Sequence, residues 1–260
     1  MYFATHHFST QVLNTFRGIT ANGYNQLFVG LFISDPTSTG TSGIEIIYEG
    51  YQRQPIQFTP PADFNGHLAI RNAQDITWPL SEQSPGTVRH IGIFDSQVGG
   101  QMLLRGDLTI PLEIRPNQQP SVLAGDIIYW SRGDFSNSFK ESCLNILRGV
   151  TLPGFTSHVA MFDGNPESGG VELNGENYSR PAVVFAAPHV SDNGVVTMVN
   201  EQTVSFPTPL ETWGRWAYDA IMRGDVTAQT ATKSLNAEAE TIHRNYVGRF
   251  AQGAIRISHD

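Results

Sequence analysis

One octapeptide of the chain occurs twice, first at Leu13–Thr20 (LNTFRGIT) and again at Leu144–Thr151 (LNILRGVT). After the octapeptide, further matching residues follow in the same order over most of each copy. Equivalent residues are 131 positions apart at the octapeptide (144 − 13) and 127 apart at Tyr51 and Tyr178 (178 − 51). Short insertions and deletions in surface loops produce a drift of this size. The chain is therefore a tandem duplication.

The other matches cover most of both copies and are mainly apolar, glycine, proline or arginine positions. They are Val29–Phe32 with Val159–Phe162, Asp35–Pro36 with Asn165–Pro166, Arg53 and Phe58 with Arg180 and Phe185, Ile76–Pro79 with Val204–Pro207, and Gly86 and Ile93 with Gly214 and Ile221. Each copy then has roughly 120–130 residues, a usual domain size. We predict a first domain over residues 1–135 and a second, diverged domain over residues 136–260, joined by a polar linker near residues 131–137.

Charge and composition limit the kinds of partner. The 260 residues carry a formal net charge of −8, from 24 acidic and 16 basic side chains, without a cluster of lysine or arginine. We therefore expect no nucleic-acid binding, because a phosphate backbone requires such a basic patch. No apolar run approaches the ~20 residues of a membrane helix, so we expect no membrane insertion. The N-terminus lacks a signal-peptide pattern, and the single cysteine, Cys143, cannot form an intrachain disulfide; both indicate synthesis in the cytoplasm.

Each copy is predicted to begin with a short helix. In the first copy the helix covers residues 8–18, with Ser9 as its N-cap and Gly18 as its end. In the second copy Ser138 and Glu141 have the spacing of a capping box, and a glycine again follows the apolar residues. These helices mark where each copy begins.

The remaining segments favour short β-strands separated by glycine and proline turns, at the spacing of a β-sandwich or barrel. The predicted strands of the first copy are Leu27–Ile33, Glu45–Tyr48, Gln54–Phe58, Asp75–Trp78, Val88–Phe94, Met102–Leu104 and Ile127–Trp130. The predicted fold is mainly all-β, with two tandem β-sandwich-like domains, each opened by a short helix. One segment of the second copy differs, because Leu235, Ala239 and Ile242 predict a turn or two of helix within Thr227–His243.

Common enzyme motifs are missing from the sequence, including phosphate-binding loops, dinucleotide-binding glycine patterns, zinc-protease motifs and nucleophile elbows. Beyond the terminal pair His6 and His7, no two histidines have metal-ligand spacing. Cys143 is interpreted as a small buried residue rather than a nucleophile. We therefore predict no catalytic residue, no metal site and no cofactor. A glycan-cleaving pair of carboxylates is kept as an alternative, because such pairs assemble in space and leave no local spacing.

The tripeptide Arg-Gly-Asp occurs three times, at Arg105–Asp107, Arg132–Asp134 and Arg223–Asp225. The three positions are not equivalent in the two copies. Glycine beside aspartate is also common in turns, so we interpret these tripeptides as turns rather than as adhesion signals.

Three aromatic residues stand close together in the second copy, Trp213, Trp216 and Tyr218, where the first copy has Pro85, Val88 and His90. One interpretation is that they pack the core of the second copy. The alternative is that at least one ring is exposed as an anchor at a protein contact or a sugar site, where aromatic rings are common. They are the candidate interface residues of this sequence.

Several motifs stand together in the first copy, namely Gly50–Gln54 (GYQRQ), Phe58, Trp78–Pro79 and Gly86–Asp95 (GTVRHIGIFD). The second copy keeps their counterparts Tyr178, Arg180, Phe185, Pro207 and Trp213–Gly214. In this combination the chain resembles small phage structural proteins that are usually labelled tail fibre proteins. The resemblance covers most of the first copy.

The resemblance implies a non-enzymatic virion protein, made in the host bacterial cytoplasm and assembled with other phage structural proteins in several symmetric copies. The expected place is the tail, the tail fibre or the tail-attachment region. The alternatives are a capsid decoration or collar protein, a receptor-binding adhesin that uses the three aromatic residues, and a glycan-cleaving tail component. Since proteins of this kind usually have one domain, the duplication suggests an adaptor that presents two related faces to different neighbours.

Overall fold

A computed structural model describes residues 2–132, 135–224 and 230–259, with the backbone alone at residues 235–238. In the first copy it contains these helices and strands: β1 (Tyr2–Ala4), α1 (His6–Asn14), β2 (Leu27–Phe32), β3 (Gln54–Ile56), β4 (Ala62–Phe64), β5 (His67–Arg71), β6 (Ile76–Thr77), β7 (Gly86–Phe94), β8 (Met102–Ile114), β9 (Ser121–Val122) and β10 (Ile128–Trp130). In the second copy it contains α2 (Asn137–Ile146), β11 (Ser157–Phe162), β12 (Ala182–Val183), β13 (His189–Val190), β14 (Val196–Val199), β15 (Val204–Ser205), β16 (Gly214–Arg223), β17 (Thr230–Ile242), β18 (Arg249–Phe250) and β19 (Arg256–His259).

Each copy consists of one larger sheet and two smaller ones, all with antiparallel pairing. In the first copy the larger sheet has the order β1-β8-β7-β2-β3, and the smaller sheets are β10-β5-β4 and β6-β9. In the second copy the larger sheet is β12-β11-β16-β17, and the smaller sheets are β13-β14-β19 and β15-β18. Equivalent strands take equivalent places. The prediction of a mainly β fold, with two tandem sandwich-like copies that each open with a short helix, is confirmed.

The central strand β2 is buried along almost all of its length, as its continuous apolar sequence predicts. Gly30 lies in its middle, opposite Gly92 of β7. A Cβ atom at Gly30 would lie 2.6 Å from the Oε1 atom of Glu45, so a larger residue there would displace this carboxylate; the second copy has Ala160 at the equivalent position. The close neighbours of Gly30 are therefore the side chains of Glu45 and Arg53.

Both helices are capped by residues that differ from the predicted ones. The Thr5 side chain accepts a hydrogen bond from the backbone N–H of the third residue of α1, and Ser136 does the same for α2. The prediction of Ser9 as a cap is wrong, because Ser9 lies inside α1 and is buried. The capping box of Ser138 and Glu141 is also wrong, since the hydroxyl that satisfies the helix N-terminus comes two residues earlier.

Two other predicted elements differ from the structure. The predicted helix within Thr227–His243 is wrong over Thr230–Ile242, which forms β17 and pairs along β16; residues 227–229 lie outside the described residues. The predicted strand Glu45–Tyr48 is reduced to a single bridge between Glu45 and Phe32. For Thr230–Ile242 the long-range pairing with β16 outweighs local helix propensity.

The hairpin of β7 and β8 contains a wide bulge. Val88 pairs with Leu112, and the next pair is His90 with Asp107, so Leu108–Pro111 bulge out of the ladder. Bulges bend a strand and direct its side chains to a new place.

The second copy has the same bulge at the equivalent place. Trp216 of β16 pairs with Glu240 of β17, and the next pair is Tyr218 with Leu235, so residues 236–239 bulge out. The backbone of this hairpin is therefore common to both copies.

Most buried apolar side chains of the two copies form one continuous cluster, and two small clusters lie apart from it, one in each copy. Helix α1 contacts β14 and β19 of the second copy, and α2 contacts β5 of the first copy. Each helix therefore lies between the two copies, against a smaller sheet that belongs to the other copy. The domain boundary between residues 135 and 136 stays a prediction.

Candidate functional site

The two copies meet along the segment that follows each helix, which we call the seam. Ala21 and Leu152 are equivalent residues (152 − 21 = 131), and the backbone N–H of each donates to the carbonyl oxygen of the other at 2.9 Å. When equivalent residues pair reciprocally, a pseudo-twofold axis passes between them. The chain thus contains an isologous interface, of the kind that joins the subunits of a symmetric dimer.

Side chains on each side of the axis repeat this reciprocity. The backbone N–H of Gly154 donates to the Oγ1 atom of Thr20 at 3.3 Å, and the N–H of Gly23 donates to the Oγ1 atom of Thr151 at 3.3 Å. Both threonines close the octapeptide. The repeat of the octapeptide is therefore explained in part by a contact that each copy makes with the other.

The glycines of the seam allow the two backbones to touch. A Cβ atom at Gly23 would lie 2.2 Å from the carbonyl carbon of Gly149, and one at Gly154 would lie 2.1 Å from that of Gly18. No side chain fits into either space. Gly18 and Gly149 also have positive φ angles of 81° and 86°, which favour glycine at the turn after each helix.

The octapeptide arginines reach across the seam in the same reciprocal way. The Nε atom of Arg17 donates to the carbonyl oxygen of Phe185 at 3.2 Å, and that of Arg148 donates to the carbonyl oxygen of Phe58 at 3.4 Å. Each guanidinium also donates to the side chain of the asparagine three residues before it. The arginine of each copy therefore binds a backbone carbonyl of the other copy.

Apolar residues of the octapeptide complete the seam. Phe16 packs against Phe139 and Phe155 with ring centroids 4.9 and 5.0 Å apart, and against Phe185 at 6.2 Å. All three partners belong to the second copy. Leu13, Phe16 and their counterparts Leu144 and Leu147 are buried, and the core that they complete is shared by both copies.

A partly buried ion pair holds the loop after β2 in the first copy. Arg53 donates to both carboxylate oxygens of Glu45, from Nε at 3.0 Å and from Nη2 at 2.8 Å. The Tyr51 hydroxyl donates to Glu45 at 2.9 Å and accepts the N–H of Leu31 at 2.9 Å. Burial and the adjacent Glu45 carboxylate raise the pKa of Tyr51. The Gly-Tyr-x-Arg motif therefore locks a loop onto the central strand.

The second copy repeats this triad. Arg180 donates to Glu172 at 2.7 and 2.5 Å, and the Tyr178 hydroxyl donates to Glu172 at 2.9 Å. The N–H of Met161 donates to the Tyr178 oxygen at 3.2 Å. The tyrosine and arginine of each triad stand out in the sequence as repeated residues, whereas the glutamate was not among the predicted matches. The signal was present, since Glu45 and Glu172 are 127 positions apart, as the tyrosines are (172 − 45).

The three candidate interface aromatics do not share one surface environment. Trp213 is buried and packs edge-on against Tyr178, with ring centroids 5.1 Å apart. Trp216 is buried and packs edge-on against Phe250 at 5.4 Å. Tyr218 is partly buried beside a small apolar cluster. Their role as interface anchors stays a prediction, and Tyr218 has the most accessible ring of the three.

Asp219 lines a cavity of about 230 Å³ in the second copy. Burial raises the pKa of this carboxyl to about 6, and a hydrogen bond from Trp216 partly offsets the rise. The first copy has the fully buried Ile91 at the equivalent position (219 − 91 = 128). The interior of the second copy is therefore more polar at this point.

His259 is fully buried at the junction of the two copies. Its Nδ1 atom is 3.0 Å from the Oγ atom of Ser9, and its Nε2 atom is 3.5 Å from that of Ser131, the equivalent residue of the first copy. The ring also stacks on Phe135 with centroids 5.6 Å apart. Burial lowers the pKa of His259 to about 3, so the imidazole is neutral at physiological pH.

Cys143 is fully buried in α2, which confirms its interpretation as a packing residue; burial raises the pKa of its thiol. The tripeptide Arg105–Asp107 lies within β8 and not in a turn, which corrects that interpretation. A Cβ atom at Gly106 would lie 2.3 Å from the ring of Tyr2, so this glycine makes room for packing. Residues 134 and 225, which end the other two tripeptides, lie outside the described residues.

Over residues 2–132, 135–224 and 230–259, no group of three or more histidine, cysteine or acidic side chains is placed to hold a metal ion. No helix in the described part of the chain is long and apolar enough to cross a membrane.

No curated protein sequence matches the chain. A family model described as "Podophage GP4 fiber I protein gp80" matches it twice, over residues 4–129 and 134–258. Each match contains one helix, one larger sheet and two smaller sheets, so the family unit coincides with one copy. The chain therefore belongs to this podophage fibre family, and it is a structural component of the phage tail fibre and part of the virion, made of two tandem family units.

Proposed function

We propose that the chain is a two-faced connector within the fibre, in which the seam joins the two copies and each copy contacts a different neighbouring virion protein. The observation that carries the proposal is a contrast between two surfaces. The contacts between the copies are reciprocal, whereas four exposed apolar side chains have a polar residue at the equivalent position of the other copy.

Exposed apolar side chains show this difference most directly. In the first copy Ile47 and Ile110 are 83% and 81% exposed, and in the second copy Val184 and Leu210 are 56% and 44% exposed. The equivalent residues are polar in every case: Asn174 for Ile47, Glu238 for Ile110, Gln57 for Val184 and Glu82 for Leu210. The two copies thus offer apolar contact area at different places, which suits two different partners.

The proposal includes several symmetric copies of the chain in each fibre, since most assemblies of identical chains are closed and symmetric. The net charge of −8 favours neighbours with basic contact surfaces, because complementary potentials select partners and speed their encounter. The proposed role requires no chemical step. Receptor binding through Trp213, Trp216 and Tyr218, and glycan cleavage, stay hypotheses.

Cross-linking in assembled particles tests the connector role. Ile47→Cys and Asn174→Cys place a new thiol at equivalent, exposed positions of the two copies, and the native Cys143 is buried and so protected from labelling. Each variant is labelled with a short photoactivated cross-linker, assembled into particles and cross-linked, and the products are identified by mass spectrometry. We expect the two positions to cross-link to different proteins, or to different surfaces of one protein. Cross-links from both positions to the same residues of the same neighbour would contradict the proposal.

A further inference from the structure

A groove of about 640 Å³ lies in the first copy between the bulge of β8 and the smaller sheet that contains β10. We call it the first-copy groove. Its apolar lining includes Phe64, Leu108, Ile110, Leu112 and Trp130. Ile110 is 81% exposed, which is unusual for a β-branched residue in the middle of a strand.

Two carboxylates lie at the rim of the first-copy groove. Asp107 and Asp126 both line it, and both are exposed. Burial raises the pKa of Tyr2, and the negative charges of Asp126 and Asp107 raise it further, which places both carboxylates near the same phenol. The Nδ1 atom of His90 lies 2.7 Å from the Oδ1 atom of Asp107. This end of the groove therefore favours a positively charged partner.

The strand along the groove has backbone groups available for pairing. β1 pairs with β8 only at Leu104–Gly106. Beyond Gly106, no strand within the described residues pairs with the outer edge of β8, and the bulge Leu108–Pro111 is also unpaired from β7. An open strand edge beside apolar side chains is the arrangement to which an extended peptide adds as a further strand.

The second copy provides an internal comparison, because it has the same bulge but lacks five of the apolar residues that line the groove. Five groove positions of the first copy and their equivalents 128 residues later are Leu108 and Asn236, Ile110 and Glu238, Leu112 and Glu240, Ile128 and Arg256, and Trp130 and Ser258. The fold does not require apolar residues at these positions, since the second copy forms the same hairpin with polar ones. Ile110 is exposed and the other four apolar side chains are partly buried, so the groove offers apolar area that the fold does not require, as a contact surface does.

A second copy of this chain is a poor occupant for the groove. Antiparallel pairing of two β8 strands about Ile110 would place Asp107 of one opposite Glu113 of the other, twice. Like charges directly opposite each other destabilise a sheet. A different polypeptide that carries a basic residue avoids this repulsion and uses the acidic rim.

We propose that the first-copy groove holds an extended segment of another virion protein, with apolar side chains at alternate positions and a lysine or arginine that meets Asp107 and Asp126. This inference rests on the proposed connector role and deepens it, since it assigns one partner to one place on the first copy.

Hydrogen exchange in the free chain and in purified particles tests the occupant directly. We expect the backbone N–H groups of residues 107–110, 112 and 113 to exchange at least about tenfold more slowly in the particle, through new strand pairing, while residues 235–241 of the second copy change little. Equal exchange of residues 107–113 in the two states would overturn the groove as a docking site. If other parts of the first copy became protected and residues 107–113 did not, the connector role would stand and the groove proposal alone would fail.

Two substitutions test the chemistry of the groove. Ile110→Glu introduces the residue that the second copy carries at this position, and Val98→Glu is a matched control, because Val98 is 85% exposed and does not line the groove. We expect the fraction of particles that carry the chain to fall at least about tenfold for Ile110→Glu, to fall for Asp126→Lys, and to stay unchanged for Val98→Glu. Unfolding temperatures of the free variants check that each chain folds.

Equal incorporation of Ile110→Glu and the wild-type chain would overturn the proposal, and so would an equal loss for Val98→Glu. Sedimentation of the free chain tests the other occupant. A wild-type dimer that Ile110→Glu dissociates would show that a second copy of this chain fills the groove, and the assignment to another protein would be wrong.

Discussion

The two copies remain alike at the seam and have diverged at the first-copy groove. At the seam, Ala21 and Leu152 still exchange their hydrogen bonds, and Thr20 and Thr151 still accept equivalent N–H groups. At the groove, every compared position is apolar in the first copy and polar in the second. An isologous contact restricts both sides at once, because each residue has to fit a partner that is its own counterpart. An outward surface has no such restriction, and it changes with its own neighbour.

The interior lies between these two extremes. Ile91 and Asp219 are equivalent but differ in polarity, and so are Ser131 and His259, which touch each other. The same substitution made at two equivalent residues should therefore change the free energy of unfolding equally where the copies share a contact, and unequally where they have diverged.

The largest expected effect concerns His259, the diverged partner of Ser131. In the unfolded chain this histidine takes up a proton near pH 6.5, whereas in the folded chain it does so only near pH 3. The folded state is therefore destabilised as the pH falls from about 6.5 towards 3, by up to about 4 kcal/mol in the free energy of unfolding. Urea unfolding at a series of pH values measures this loss. His259→Gln, which cannot titrate, should remove most of the slope; an unchanged slope would show that other groups cause it.

The seam glycines give the next effect. Gly23→Ala and Gly154→Ala each force a Cβ atom to about 2 Å from a backbone carbon of the other copy. We expect each to lower the free energy of unfolding by about 3 kcal/mol, and the two losses to be similar, because the seam is symmetric. Gly164→Ala is the control, since its Cβ atom would lie 3.3 Å from its nearest neighbour. Denaturant unfolding of the three variants measures the difference. A loss for only one seam glycine would contradict the reciprocal seam.

The two triads are also expected to respond equally. Glu45→Gln and Glu172→Gln remove the charge that faces Arg53 and Arg180, whose side chains are 12% and 11% exposed. A partly buried arginine left without its counter-charge costs about 2 kcal/mol, and each variant should lose that much stability. The control is Glu113→Gln, which changes the exposed pair with Arg115 and should have no measurable effect. If one triad variant proved neutral, the two triads would not be energetically equivalent.

The smallest expected effect is a gain at Asp219. Its folded pKa of about 6 lies above the ordinary value, so the folded state retains this proton more strongly than the unfolded chain. Stability contributed by Asp219 is therefore present at low pH and lost as the pH rises through about 6. Asp219→Asn should raise the free energy of unfolding by about 2 kcal/mol at pH 8 and remove this dependence.

Asp219→Asn is best measured in the His259→Gln variant. As the pH falls from 6 to 4, His259 lowers the free energy of unfolding and Asp219 raises it, so the two effects would otherwise offset each other. If Asp219→Asn lowered stability at every pH, the carboxylate would have a stabilising partner in the folded chain, and the description of a buried, poorly solvated acid would be wrong.

Much of the fold could be predicted because it depends on apolar patterning. Repeated apolar segments predicted the duplication, the β-rich class and a helix at the start of each copy. The caps were harder to place, since Thr5 and Ser136 have other serines nearby with equal local preference. Thr230–Ile242 was predicted as part helix because alanine and glutamate favour helices, but pairing with β16 outweighs that preference.

The seam could not be predicted in the same way. Backbone hydrogen bonds such as the Ala21–Leu152 pair leave no pattern in either copy alone. The equivalent glycines Gly23 and Gly154 were a usable signal, because a glycine kept in both copies outside the helix stop indicates close backbone contact. The first-copy groove depends on a bulge, and its apolar residues resemble ordinary strand residues until their exposure is known.

The pseudo-twofold axis between Ala21 and Leu152 also has a genetic consequence. In a homodimer of a single-unit protein, each codon specifies both faces, so a substitution that improves one face appears on the other as well. Here each unit has its own codons within one chain, so the two can change independently. The covalent link also keeps them at an effective concentration in the millimolar range. They pair one to one whatever the amount of protein made, and each unit can acquire its own partner.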